Sequence, residues 1–260
     1  MTESELLFSE ILNCDRAHLY LNQDVALDKE QSLFISATLE RRFSGEPLQY
    51  ILGKTEFMGL EFKVTPDVFI PRPETEILVE TALKLVSSVK CQVSNILDLG
   101  TGSGCIAVSL ARFLPRAKVD AIDISEKALA MAKYNAWLNN AEINFIQGDL
   151  FNPTDYDLII TNPPYIPSAE IDNLQPEIQY EPRIALDGGR DGLDFYRRIT
   201  ACAPGYLKED GFLIMEMGFG QRPQIENIFQ KSGNFEIIEV VNDYNNIERV
   251  IVAKNIRKDG

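Results

Sequence analysis

Histidine is almost absent from this chain: its 260 residues contain one, His18, beside one tryptophan and four cysteines. A Ser-His-Asp relay or a metal site of His and Cys ligands would rest on that one imidazole, so neither is expected. His18 reads instead as a helix-surface residue. Cys14, Cys91, Cys105 and Cys202 stand far apart, without the close pairs of a zinc or redox centre. Apolar runs such as Leu158-Ile159-Ile160 fall far short of the ~18 residues of a membrane helix. The first ten residues hold three Glu and neither Lys nor Arg. That is unlike a secretory or transit leader and predicts a cytoplasmic protein. Positive charge is scarce as well, with 25 Lys and Arg against 39 Asp and Glu, a net charge of −14. Proteins held by phosphates carry a basic face, so direct nucleic-acid binding is not expected, nor is a membrane partner. Arg41-Arg42, Arg197-Arg198 and the stretch from Lys254 to Lys258 are too few to reverse the acidic balance.

What is present is the ordinary composition of a globular protein, 45% hydrophobic and 25% charged. Residues 1–45 read as helical, with Leu6, Leu7, Ile11 and Leu12 on one face and Ile35, Leu39 and Phe43 recurring at i, i+4, i+8. Gly45 and Pro47 close that section. Leu60, Phe62 and Val64 alternate beside Gly59, which predicts a hairpin at 55–64. From residue 71 helix and strand alternate. The pattern predicts helices at 74–89, 103–113, 126–139, 193–207 and 221–231. It predicts strands at 95–99, 118–122, 143–147, 158–161, 212–216, 235–241 and 249–253. Such alternation makes an α/β doubly wound, Rossmann-like parallel sheet, and the short turn at 242–248 makes the final strand antiparallel. This layout resembles the seven-stranded class I methyltransferase sheet. The expected division is a helical docking domain (1–53), a hairpin linker (54–70) and a catalytic domain (71–260).

The first strand of that sheet ends in Asp98-Leu99-Gly100-Thr101-Gly102-Ser103-Gly104, just before a helix. Glycines on alternate positions allow a tight turn and close ligand approach, and the following helix start favours an anionic group. A dinucleotide loop requires G-x-G-x-x-G, but Cys105 occupies the last glycine slot; G-x-G-x-G resembles the loop that binds S-adenosylmethionine. Asp123, 19 residues beyond Gly104, is placed to accept from ribose hydroxyls, since Ser125 is the better cap for the next helix. In methyltransferases of this layout, the turn Gly148-Asp149-Leu150-Phe151 supplies a polar acceptor and an apolar wall for adenine. Asp149 and Leu150 are the candidates, and an ordinary turn Asp and core Leu fit the residues equally well.

The fourth strand stops at Asn162-Pro163-Pro164-Tyr165, at the carboxyl edge where open α/β sheets bind ligands. Each proline forces the residue before it into an extended conformation, and neither can join a helix. The Asn162 carboxamide oxygen and a neighbouring backbone carbonyl then form a stiff pair of acceptors for the two hydrogens of a planar NH₂ group. The Tyr165 ring can lie against that flat group and exclude water. No general base is required, because a freshly methylated amide nitrogen is strongly acidic. The tetrapeptide suits an adenine amine and a glutamine carboxamide alike.

Other stretches bear on that choice: Gln49-Tyr50-Ile51-Leu52-Gly53; Phe69-Ile-Pro-Arg-Pro-Glu-Thr-Glu76; Glu181-Pro-Arg-Ile-Ala-Leu186; Asp187-Gly-Gly189; Gly192-Leu-Asp-Phe-Tyr196; and Glu216-Met-Gly-Phe-Gly-Gln221. With the tetrapeptide they closely resemble the HemK-type protein glutamine N5-methyltransferases, over nearly the whole chain from Gln49. The resemblance implies S-adenosylmethionine-dependent methylation of the glutamine in the Gly-Gly-Gln tip of peptide chain release factors. Gly100, Thr101, Gly102, Ser103, Gly104, Asp123, Asp149, Leu150 and Asn162 would bind cofactor, and Asn162, Pro163, Pro164 and Tyr165 would bind the glutamine and carry catalysis. No metal is implied. Leu150 stands where some members carry Trp. Arg72 and Thr75 are further candidate contacts. Alternatives are a ribosomal-protein glutamine methyltransferase, a nucleic-acid adenine methyltransferase, which the acidic charge disfavours, and a cofactor-binding scaffold without turnover. The proline- and glycine-rich connection after Tyr165 and the N-terminal helices are expected to grip the protein substrate.

Overall fold

A computed structural model describes residues 2–21, 26–88, 93–150 and 155–257; Cys91, Phe151 and Lys258 lie outside them. The N-terminal part is helical: α1 (Glu3–Ile11), α2 (Arg16–Leu21), α3 (Lys29–Phe43) and the short α4 (Leu48–Leu52). Capping boxes start α1 and α3, Thr2 with Glu5 and Asp28 with Gln31, each pair exchanging side-chain and backbone hydrogen bonds. The expected apolar faces are only partly buried. On α1, Leu7 is buried and Leu6 exposed; on α3, Thr38 is buried while Leu39 and Phe43 are exposed, Phe43 at 88%. Polar links choose the inward side of α3: Gln31 reaches the Ile11 carbonyl and Arg42 pairs with Glu3 of α1. His18 lies on the surface beside Asp15, as its isolation implied.

The hairpin pairs β1 (Lys54–Phe57) with β2 (Leu60–Lys63) across Met58 and Gly59, whose φ angles of 52° and 71° make the turn that suits strand twist. Helix α5 (Pro73–Ser88) begins on a proline whose missing N–H costs nothing in the first turn. The alternating part follows: β3 (Asn95–Leu99), α6 (Cys105–Phe113), β4 (Lys118–Asp123), α7 (Glu126–Leu138), β5 (Asn144–Gln147), β6 (Tyr156–Thr161), α8 (Asp194–Cys202), β7 (Leu207–Glu216), α9 (Arg222–Ser232), β8 (Phe235–Asn242) and β9 (Glu248–Asn255). Among the described residues these strands form a seven-stranded sheet in the order β5-β4-β3-β6-β7-β9-β8, with β9 antiparallel to both neighbours.

Strand β6 is central and buried on both faces. Leu158 and Ile160 enter one core with residues of α5 and α6, and Ile159 enters the other with residues of α8 and α9. Adjacent parallel strands β3 and β6 pair Asp98 with Ile160, so their carboxyl ends emerge side by side.

The connection between β6 and α8 is more ordered than its sequence suggests. It contains 3₁₀ turns at Ile171–Asn173, Ile178–Tyr180 and Arg183–Ala185, and Ile166 bridges to Asp187. Single turns of this kind leave no repeating hydrophobic pattern to read. The N-terminal helices are fastened to it. Arg42 pairs with Glu177 at 2.9 Å and Tyr180 donates to the Ser44 carbonyl at 3.0 Å. Of the basic spots seen in the sequence, Arg41 pairs with Glu46, Arg197 with Asp191 and Lys254 with Asp210.

A buried amide ties the hairpin to α7 and the loop after β3. Asn135 of α7 donates to the Lys63 and Ser103 carbonyls at 2.9 and 2.8 Å and accepts from the Lys63 N–H at 2.7 Å. Asn135→Leu would strand all three partners, and the expected loss in urea-unfolding free energy is about 3 kcal/mol.

Candidate active site

A cavity of about 390 Å³ opens at the carboxyl ends of β3, β4 and β6, within the range of small-molecule sites. The predicted loop forms its floor. Gly100, Gly102 and Gly104 have φ angles of 74°, 55° and 83°, a left-handed run that other residues would strain to adopt. Gly100 and Thr101 both donate to the Ile122 carbonyl, locking the turn onto the end of β4. Gly104 is the N-cap of α6 and has no side chain to cap it, so the helix start is open to an anionic ligand.

Asp123 accepts from the Gly102 N–H through one oxygen and from the Ser125 N–H through the other, at 2.8 and 2.9 Å. Ser125 caps α7, so Asp123 is spared that task and lines the cavity. Asp149 and Leu150 line the cavity from the neighbouring turn, whose Gly148 N–H donates to the Asp123 carbonyl, and Arg198 of α8 pairs with Asp149 at 2.7 Å. Eleven of the twelve predicted site residues line the cavity; the twelfth, Gly104, packs against Ala132 of α7 instead.

Asp98 underlies the loop. One carboxylate oxygen accepts from Thr101 Oγ1 at 2.6 Å and from the Ala107 N–H at 3.1 Å, while the other is buried with no partner among the described residues. Burial pushes its pKa from 3.8 up to about 7, against the Thr101 and Ala107 hydrogen bonds. Cys105, buried next to it, is pushed up to about 12 by desolvation, which leaves a neutral, unreactive thiol.

At the second wall, Asn162 to Tyr165 lie on the same cavity. Thr161 Oγ1 donates to the Leu99 carbonyl at 2.7 Å, stitching the end of β6 to that of β3. The Asn162 amide nitrogen donates to Thr75 Oγ1 at 3.1 Å, and Thr75 donates to Glu216 Oε2 at 2.7 Å. Tyr165 is held from behind: Gln221 donates to its carbonyl at 2.9 Å. Its phenol is pushed above its ordinary pKa, mainly by burial and then by nearby Glu216, so it is no base.

Thr75 faces the cavity, but Arg72 does not: it pairs with buried Glu181, whose other oxygen accepts from the Ile70 N–H at 3.2 Å. That pair straps the 67–75 segment to the connection. Sequence reasoning missed Phe195, Arg198 and Ile199, which close the cavity from α8. Their i, i+3, i+4 spacing marks one helix face, but nothing local says which loop that face covers. It also missed the role of Glu216, seen only as part of a motif.

The glycines after Tyr165 have a spatial reason. A Cβ built on Gly192 would stand 2.3 Å from the Tyr165 carbonyl oxygen, and the residue has φ 74°. Gly192→Ala must displace the tetrapeptide; turnover is expected to fall by at least about tenfold while cofactor titration still shows binding. Asp98 supplies a pH test. Between 3.8 and about 7 the native protein keeps a proton on Asp98 that the unfolded chain has lost, so stability falls as pH rises through that window. Asp98→Asn removes this share, so its urea midpoint should decline less than that of the parent protein between about pH 4 and about pH 7.

Family models match in two places: the PrmC N-terminal domain over residues 1–53 and the Methyltransferase small domain over residues 62–179. A Geobacter sulfurreducens protein named release factor glutamine methyltransferase is 46% identical over 253 residues, covering 96% of this chain and 87% of that protein. One of the same name from Thermodesulfovibrio yellowstonii is 43% identical, covering 97% and 91%. Among solved structures, a methyltransferase from Pyrococcus furiosus matches with a TM-score of 0.57 at 14% identity, covering 87% of this chain and 98% of that one. A ribosomal protein L11 methylase from Lactobacillus delbrueckii subsp. bulgaricus matches at 0.51 and 21% identity, covering 72% and 81%. These two likenesses speak for the class I methyltransferase fold alone. The two close relatives carry the family: this chain belongs to the release factor glutamine methyltransferases.

Proposed function

We propose that this enzyme transfers a methyl group from S-adenosylmethionine to the side-chain amide nitrogen of the glutamine in the Gly-Gly-Gln tip of a peptide chain release factor. The observation that carries the reading is the position of Asn162, on a rigid turn that shares one cavity with the glycine loop. The residues suit the cofactor. The open start of α6 fits its carboxylate, Asp123 its ribose hydroxyls and Asp149 and Leu150 its adenine, and one Asp98 oxygen without a partner among the described residues is a buried polar atom beneath the loop. When bound, it supplies an electrophilic methyl on a sulfonium.

The protein does the positioning. Asn162 Oδ1 and a backbone carbonyl of the tetrapeptide accept both hydrogens of the substrate NH₂ group, which directs the nitrogen at the methyl. Tyr165 packs against the carboxamide plane and keeps water away. The amide nitrogen held by Asn162 would exchange a hydrogen for that methyl, and no side chain need take the proton, since it would leave an acidic nitrogen for solvent.

Residues 1–53 are read as a docking unit for the protein substrate. The exposed Leu33, Phe34, Leu39 and Phe43 of α3 and the ties from Arg42 and Ser44 to the connection support that reading. Incubated with S-adenosylmethionine and purified release factor, the enzyme should add the mass of one methyl to a single glutamine. Asn162→Ala should slow that reaction by about 10²-fold. Methyl incorporation into nucleic acid or a ribosomal protein instead would overturn the substrate assignment.

A further inference from the structure

We propose that Thr75 and Glu216 are positioning residues, forming a directional relay that holds the Asn162 amide with its oxygen, not its nitrogen, toward the substrate. The inference rests on the reading of Asn162 given above. The need for a relay comes from the shape of the amide. Its two branches are nearly the same size, and a half-turn exchanges an acceptor for a pair of donors. A turned Asn162 would present N–H groups to the N–H groups of the substrate. Neither the prolines nor packing can tell the two orientations apart, because they act on shape. A hydrogen-bond partner of fixed polarity can.

Thr75 has one hydroxyl proton. Glu216 Oε2 lies 2.7 Å away, and an ionised carboxylate only accepts, so that proton is committed to Glu216. Thr75 Oγ1 is left as an acceptor, and the Asn162 amide nitrogen donates to it at 3.1 Å. In the turned amide, Oδ1 would face Oγ1 with no hydrogen between them. Thr75 and Glu216 are each 2% exposed, so bulk water cannot substitute for either bond. The cost of an unmade bond there is accordingly high.

Polarity thus passes from Glu216 at the end of β7, through Thr75 in the first turn of α5, to Asn162 at the end of β6. The groups facing Glu216 are Thr75 and Glu74 from α5, Tyr165 from the tetrapeptide, Arg249 from β9, Cys105 from α6, and Tyr196 from α8, which donates to the Glu216 carbonyl at 2.9 Å. Burial outweighs the Thr75 hydrogen bond and Arg249, and places the Glu216 pKa at about 7. A protonated Glu216 can donate as well as accept. It then frees the Thr75 hydroxyl to point at Asn162 and removes the preference between the two amide orientations.

The test uses the full-length enzyme with purified release factor and S-adenosylmethionine, scoring kcat, KM for the release factor and the cofactor Kd. Thr75→Val should lower kcat by about 10²-fold with KM and Kd within about threefold, and Thr75→Ser, which keeps the hydroxyl, should recover most of the loss. In the parent enzyme kcat should fall as pH drops through about 7, and that inflection should vanish in Glu216→Gln. A Thr75→Val enzyme with full kcat, a Thr75→Ser enzyme as slow as the valine variant, or an inflection retained in Glu216→Gln would each overturn the relay. Loss of cofactor binding in both Thr75 variants would also overturn it, marking the hydroxyl as structural. A parent enzyme that leaves the release factor unmodified refutes the substrate reading instead.

Discussion

The site depends on β3 and β6 lying next to each other, parallel and in register. Because Asp98 pairs with Ile160, the two chains leave the sheet at the same edge, and the Thr161 hydroxyl on the Leu99 carbonyl keeps those ends together. One exit turns through three left-handed glycines and the other is stiffened by two prolines. A loop able to admit a ligand against its backbone therefore stands beside one unable to fold into a helix. The hydrophobic burial of β6 on both faces anchors this arrangement.

Three buried polar groups stand behind or beside that edge. Asp98 lies under the glycine turn, Glu216 behind the tetrapeptide and Asn135 beneath the hairpin, all at 2% exposure or less. Each is expensive to desolvate, and each is held by hydrogen bonds that join separate segments of chain. Asn135 satisfies its partners fully, which suits a structural tie. Burial raises Asp98 and Glu216 both to about 7. The outer shell is built differently. Arg72 with Glu181 and Arg42 with Glu177 connect the 67–75 segment and the N-terminal helices to the connection that walls the cavity. A protein docked on α3 would thus press on elements in direct contact with the site.

Much of this was legible in the sequence. The alternation of strands and helices predicted the sheet, including its antiparallel last strand, because a buried strand and an amphipathic helix each leave a periodic signature. That the glycine loop, Asp123 and the tetrapeptide would stand at one edge of the sheet was legible because each is marked by local backbone conformation and position at a strand end. The helical reading of α3 agrees with the structure, yet Leu39 and Phe43, which repeat at helical spacing, face solvent. Periodicity identifies an apolar face without saying whether anything covers it. The reading failed on the connection, where isolated 3₁₀ turns look like featureless chain.

The amino-acid order by itself determined which segments are strands, where the chain must turn, and that two prolines would stiffen the chain leaving the central strand, since these follow from local sterics and the spacing of apolar side chains. Tertiary structure alone decided that Thr75, Asn162 and Glu216 form one hydrogen-bonded line and that Arg198 closes the cavity over Asp149. Those residues lie dozens of positions apart. The polarity of a hydrogen bond is set by which partner the fold delivers, not by anything either neighbourhood of sequence contains.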